Sequence, residues 1–148
     1  MGKFKWSNLP IPEPHVITLV SGIALHVWRP LEFWQAALQR QISGWTLLMI
    51  GILLALWGAM TFKDMDFEKP TGIVTAGPYA FSRNPMYVAW ILIYLAFVLL
   101  VNTWWLILLL PALLFFMHFH DVRQEERQLE EKFGEEYLQY RARVRRYF

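Results

Sequence analysis

A chain of 148 residues, 56% of them hydrophobic and 17% aromatic, has room for one domain and carries more apolar material than a soluble protein of this size needs. The mean hydropathy is +0.30 and the pI near 9.0, yet the net charge is only +2, so no nucleic-acid partner is expected and the placement of charge matters more than its sum. Cysteine is absent, which excludes disulfides, thiolate metal sites and a cysteine nucleophile.

Met1 to Pro14 lacks the basic-then-apolar pattern of a cleaved signal, and Pro10, Pro12 and Pro14 break any helix there, so it reads as a retained N-terminal segment. The first apolar run, His15 to Trp28, covers roughly 21 Å as a helix, short of the ~30 Å hydrocarbon core unless flanking residues are recruited. His26 inside it reads as a head-group histidine or as a polar contact in a pocket. Pro30 suits the first turn of a new helix. Leu31, Trp34, Leu38 and Ile42 repeat at three or four, which predicts an amphipathic helix with Arg40 on its wet side. Ile42 to Phe62 is free of charge and long enough to cross a membrane. Gly44, Gly51 and Gly58 recur every seven residues on one face, where another helix, of this chain or of a second copy, can approach closely; a lipid-tail groove is the alternative. Asp64, Asp66 and Glu68 in the following polar connection have no histidine near them and are flanked by Lys63 and Lys69, so a solvated loop is expected rather than a metal site.

Gly77 to Tyr87 is the least lipid-like stretch between the apolar blocks. Gly77-Pro78 permits a sharp turn, and Pro85 biases Asn84 away from helix. Asn84 offers a donor and an acceptor, Arg83 a fork for a carboxylate, and Tyr79, Phe81 and Tyr87 offer faces for a flat ring or a cation. Val88 to His120 is too long for one untilted span, and Asn102-Thr103 near its middle predicts two short antiparallel helices, the second containing Pro111. Trp104 and Trp105 fit an interfacial belt beside that turn.

Asp121 to Phe148 changes character, holding seven of the fourteen basic residues and seven of the twelve acidic ones. Val122, Leu129, Phe133, Tyr137, Tyr140 and Val144 form a helical stripe, and Gly134 ends one helix and starts another. With Val122 at zero on a helical wheel, Leu129 falls near about −20°, Phe133 near about +20° and Glu126 near about +40°. Glu126 therefore lies inside the apolar stripe, Glu125 at its edge. A carboxylate there needs a partner, either Arg83 or a ligand. The N-terminus, the 63–87 connection and the tail hold twelve of the fourteen basic residues, which puts them together on the cytoplasmic side.

Gly77-Pro78-Tyr79, then Ser82-Arg83-Asn84-Pro85-Met86-Tyr87, then a helical hairpin, then Arg123-x-Glu125-Glu126-x-x-Leu129 and Phe133-Gly134-x-x-Tyr137-x-x-Tyr140 resemble the signature of integral-membrane methyltransferases. These are the isoprenylcysteine carboxyl methyltransferases and, more distantly, the phospholipid N-methyltransferases. The resemblance covers roughly residues 77–144. Asparagine stands at 84 where the family commonly has histidine; it keeps hydrogen bonding but does not titrate near neutral pH.

The resemblance implies S-adenosyl-L-methionine as methyl donor, held on the cytosolic face between the central stretch and the tail. It implies that Tyr79, Arg83, Asn84, Pro85 and Tyr87 line the cofactor pocket and that Glu125 or Glu126 holds the amino end or ribose of the cofactor. Arg127, Tyr137, Tyr140 and Arg141 are further candidates, His118 and His120 lie at the hairpin exit, and Arg83 and Glu126 are the candidates for the chemistry. No metal is implied.

The expected fold is an all-α integral membrane domain. It has about four transmembrane helices, two of them short and paired as a hairpin, and a C-terminal amphipathic cytosolic tail. Residues 1–14 form an N-terminal segment, 15–62 the anchor helices and 77–146 the cofactor-binding half. The expected activity is methyl transfer to a small lipophilic acceptor, as in the isoprenylcysteine carboxyl enzymes, with membrane lipids around it. A phospholipid or amine N-methyltransferase, or a non-catalytic lipid- or partner-binding protein of the same fold, is the alternative.

Overall fold

The computed structural model describes residues 12–61 and 72–147, all of them helix, turn or loop apart from a single bridge between Ser82 and Arg145. The acidic 64–68 segment lies outside the described residues. The helices are α1 (Glu13–Trp28), α2 (Ala37–Thr61), α3 (Pro85–Val101), α4 (Trp104–Phe116), α5 (Arg123–Phe133) and α6 (Glu135–Arg143). A short 3-10 turn, Gly77–Ala80, precedes α3, and a π-helical stretch, Met117–Val122, joins α4 to α5. Among the described residues, two helices are long and apolar enough to cross a membrane: α2, and the continuous run Trp104–Phe133 of which α4 is the apolar part.

The glycine spacing sets the first helix pair. Gly44, Gly51 and Gly58 are buried against α3, where a Cβ on Gly51 would stand 2.8 Å from Ile93 Cγ1 and 3.1 Å from the Ala89 carbonyl. Only hydrogen fits there, so the backbones of α2 and α3 approach closely. The opposite side of α2 exposes Trp45, Met49, Leu53, Trp57 and Met60, an apolar face suited to lipid. α1 packs on α4, with Gly22 against the Leu106 side chain.

The hairpin forms where expected. Asn102 caps α3 in the left-handed conformation, φ 59°, and the Thr103 hydroxyl accepts the Trp105 amide to cap α4. The Tyr94 hydroxyl donates to the Leu106 carbonyl at 2.9 Å and ties the arms together inside a cluster of Tyr94, Val98, Leu106 and Leu113.

The helix expected from Pro30 does not form before Ala37. The Asn102 side chain takes this segment instead: its Oδ1 accepts from the Phe33 and Trp34 amides, and its Nδ2 donates to the Trp34 carbonyl. The Leu31 carbonyl accepts from the Trp104 amide. Backbone groups that a first helical turn would have left unpaired thus find tertiary partners. Arg40 is not on a wet face either. Its Nη1 donates to the Leu99 and Leu100 carbonyls at 2.7 and 2.9 Å and places its charge at the negative end of α3.

Candidate functional site

The central stretch owes its shape to its turn residues. Gly77 has φ +58°, and a Cβ there would lie 2.5 Å from Thr61 Oγ1, so both conformation and space call for glycine. Pro85 starts α3, and Asn84 before it stays non-helical, its amide donating to the Ser82 hydroxyl at 3.2 Å. Ser82, Asn84 and Pro85 are all buried.

The tail closes over this stretch. The Arg83 amide donates to the Arg145 carbonyl at 2.9 Å, and Ser82 Oγ and Asn84 Nδ2 both donate to the Arg146 carbonyl. The Tyr140 hydroxyl donates to the Tyr79 carbonyl at 2.8 Å. Burial pushes the Tyr79 and Tyr140 phenols well above their usual range, so both stay neutral and Tyr140 remains a donor. Glu126 is 7% exposed and fully engaged. Arg83 Nη1 lies 3.2 Å from Oε1, Arg146 binds both carboxylate oxygens, and Asn84 Nδ2 stands 3.5 Å from Oε1. Arg83 Nη1 also donates to the Tyr137 hydroxyl at 3.1 Å.

Beside this cluster lies an open cavity of about 680 Å³, within the roughly 300–1,000 Å³ of small-molecule sites. Tyr79, Asn84, Met86, Tyr87 and Trp90 form one wall. Pro12, Glu13, Pro14 and Ile17 from the start of α1 form a second. Phe116, His120, Asp121, Gln124, Glu125 and Gln128 form the third. The Tyr87 phenol and the Glu125 carboxylate face each other across two of these walls. Among the described residues, the lining holds three carboxyl groups and four aromatic rings but neither lysine nor arginine, which favours a ligand bearing positive charge and a flat ring.

The residues singled out in the sequence fall into three groups. Tyr79, Asn84, Tyr87, Glu125 and His120 line the cavity, whereas Pro85, expected there too, is buried at the start of α3 and is not part of the lining. Arg83, Glu126, Tyr137 and Tyr140 form the layer behind it, and Asn84 touches both. Arg127, Arg141 and His118 stand apart: Arg127 is exposed beside Glu130 and Glu131, Arg141 pairs with Glu130 at 3.2 Å, and His118 shares a 2.8 Å hydrogen bond with Tyr147.

Sequence reasoning missed Glu13, Asp121, Gln124 and Arg146. A signal for Gln124 existed, since Phe116, His120, Gln124 and Gln128 recur every four residues on one helical face. None existed for Arg146, which lies beyond the last helix. Among the described residues, no three histidine or acidic side chains converge to hold a metal ion.

No curated protein and no solved structure matches the chain at a significant level. Residues 39–136 match the sequence model of a family described as phospholipid methyltransferase. The match runs from α2 into α6, so it includes Asn84, Tyr87, Glu125 and Glu126 and leaves out α1 and Arg146. It spans well over half of the 148 residues, and the chain belongs to the phospholipid methyltransferase family.

Proposed function

We propose that this protein is an integral-membrane methyltransferase that uses S-adenosylmethionine to methylate an amine-bearing lipid. The observation that carries the reading is the charge of the cavity: Glu13, Asp121 and Glu125 line it together with Tyr79, Tyr87, Trp90 and Phe116, with no lysine or arginine among the described lining residues. A sulfonium cofactor with an amino group and a flat base suits that lining, and so does an ammonium acceptor. A carboxylate acceptor, as the isoprenylcysteine enzymes use, meets the Glu13 and Asp121 carboxylates and, among the described lining residues, no arginine or lysine, so the amine reading is preferred to the carboxyl one.

In this reading the whole chain is one membrane-embedded domain with four spans, α1 to α4. The basic central stretch and tail lie on the cytoplasmic side, by the distribution of lysine and arginine. Glu125 and Tyr87 hold the polar end of the cofactor, and Tyr79 and Asn84 line its base or ribose. The Arg83–Glu126–Arg146 cluster fixes Asn84 and the turn rather than touching the reacting atoms. When bound, the cofactor supplies an electrophilic methyl group on a sulfonium. The protein aligns the acceptor with it and keeps water out, which is where most of the rate enhancement originates. The lipid arrives from the membrane between α1 and α4 at the apolar rim formed by Ile17 and Phe116.

The test is calorimetric titration of S-adenosylmethionine into the protein in nanodiscs, with Glu125→Gln alongside, followed by mass spectrometry of amine lipids incubated with both. Saturable binding, weakened at least tenfold in Glu125→Gln, and methylated lipid amines support the reading. A folded protein that binds no cofactor, with or without amine lipid, overturns it.

A further inference from the structure

We propose that His120, oriented by Asp121, is the base that takes a proton from the amine acceptor; this rests on the amine-methyltransferase reading above. Both side chains line the cavity. His120 Nδ1 lies 3.0 Å from Asp121 Oδ1, and its ring stacks on Phe116 with centroids 4.7 Å apart and planes 21° from parallel. Two contacts thus fix the imidazole plane, and Nε2 has no partner among the described residues.

The backbone explains why neighbours in sequence serve one cavity. In a regular α-helix, residues 120 and 121 would point about 100° apart. Met117–Val122 is π-helical, and both side chains border the cavity. Such π turns occur often at functional sites. Asp121 accepting from Nδ1–H leaves the lone pair on Nε2, the arrangement a base requires. Among the described residues that line the cavity His120 is the one histidine, and position 84 carries an asparagine that cannot titrate.

Among the described residues, the charged and titratable groups sharing the cavity are Asp121 and His120 on the π-helical stretch, Glu125 on α5, Glu13 on α1, Tyr87 on α3 and Tyr79 on the turn. Arg123 packs its guanidinium over Phe119, 4.6 Å from the ring centroid, and does not line the cavity. The carboxylates hold the ammonium, and His120 removes its proton. Its N–H bond breaks and the proton passes to Nε2. The freed nitrogen lone pair forms the new bond to the methyl carbon of the sulfonium donor. The carbon–sulfur bond breaks, and its electron pair stays on sulfur as a neutral thioether. The imidazolium then releases its proton to water at the cavity mouth.

The experiment is nitrogen NMR of histidine-labelled protein in nanodiscs without cofactor, using short-chain phosphatidylethanolamine and phosphatidylcholine as probes. The chain has four histidines, and His120→Gln assigns the one of interest. The expected result is a neutral Nδ1–H tautomer and an Nε2 resonance that shifts with the ethanolamine head group and not with the choline head group, which has no N–H. A second arm measures the pH–rate profile of methyl transfer. His120→Gln is expected to lose about 10²–10⁴-fold in rate together with the acid-side ionisation, while cofactor affinity stays within about twofold. An Nε2 resonance indifferent to the ethanolamine head group overturns the assignment, as does a His120→Gln protein that keeps rate and profile. A wild-type protein that binds cofactor yet methylates no amine overturns the acceptor reading and the base with it. Loss of cofactor binding altogether would implicate the methyltransferase reading itself.

Discussion

Arg146 grips Glu126 at two points, Nη2 to Oε2 at 2.8 Å and Nε to Oε1 at 3.1 Å, across a sequence separation of twenty residues. The grip brings the chain end back over the central stretch, where the Arg146 carbonyl receives Ser82 and Asn84. Glu126 is therefore neutralised from two sides, by Arg83 and Arg146, before any ligand arrives.

This arrangement separates the two neighbouring carboxylates by experiment. Glu126→Gln leaves the Arg83 guanidinium, whose side chain is 8% exposed, without a counter-charge. It should lower stability by about 3 kcal/mol, as loss of one partner from a buried ion pair does. Arg146→Gln leaves Glu126 still paired with Arg83 and should cost less, about 1–2 kcal/mol. Chemical unfolding followed by tryptophan fluorescence in detergent measures both. Equal and negligible shifts would mean that the cluster does not hold the tail down.

That Glu126 needs a partner was legible, because helical periodicity alone puts it on an apolar face; Arg83 was one of the two candidates, beside a ligand. Arg146 was not, because it follows the last helix and pairs through a strap with no period of its own. The glycines at 44, 51 and 58 revealed their packing face because seven residues make close to two helical turns. The apolar repeat of Leu31, Trp34, Leu38 and Ile42 misled for the same reason in reverse: a correct period says nothing of a distant asparagine that outcompetes the first helical turn. The cavity was half legible. Tyr79, Asn84, Tyr87 and Glu125 carry a recognisable pattern, whereas Glu13 reaches the site only because α1 packs on α4.

The glycine face yields a graded prediction. At Gly51 an added methyl meets the Ala89 carbonyl and the Ile93 amide, both 3.1 Å away on backbone that cannot move aside cheaply. Gly51→Ala should cost about 1–3 kcal/mol through forced separation of α2 and α3. At Gly58 the contact is the Met86 sulfur at 2.6 Å, on a flexible side chain that can change rotamer. Gly58→Ala should therefore be milder. Denaturant midpoints in matched detergent rank the two, and the reverse order would contradict the packing described.

Asn102 combines a backbone role with a side-chain role, and two substitutions part them. Asn102→Gly keeps the left-handed conformation at φ 59° but drops the hydrogen bonds to Phe33 and Trp34. Asn102→Ala loses both. The glycine variant should lose about 1–3 kcal/mol for the unpaired backbone groups, and the alanine variant about 1 kcal/mol more for the left-handed strain. Protection of the 31–36 amides from hydrogen exchange should fall in both variants. Unchanged protection would show that this segment is held by something other than Asn102.

Tyr140→Phe tests whether the tail positions the cavity or only covers it. The substitution removes one buried hydrogen bond, the 2.8 Å contact to the Tyr79 carbonyl, while the ring stays in place. The stability cost should be modest, about 1–2 kcal/mol, because a buried carbonyl loses its partner. The effect on ligand binding should be larger than on folding, because Tyr79 contributes a ring to the cavity wall and its backbone is fixed from the far side by Tyr140. Titration of S-adenosylmethionine should show weakening of about 3- to 10-fold, the equivalent of about 1 kcal/mol. Affinity unchanged alongside a measurable loss of stability would assign Tyr140 to the fold alone and leave the position of Tyr79 to the Gly77–Ala80 turn.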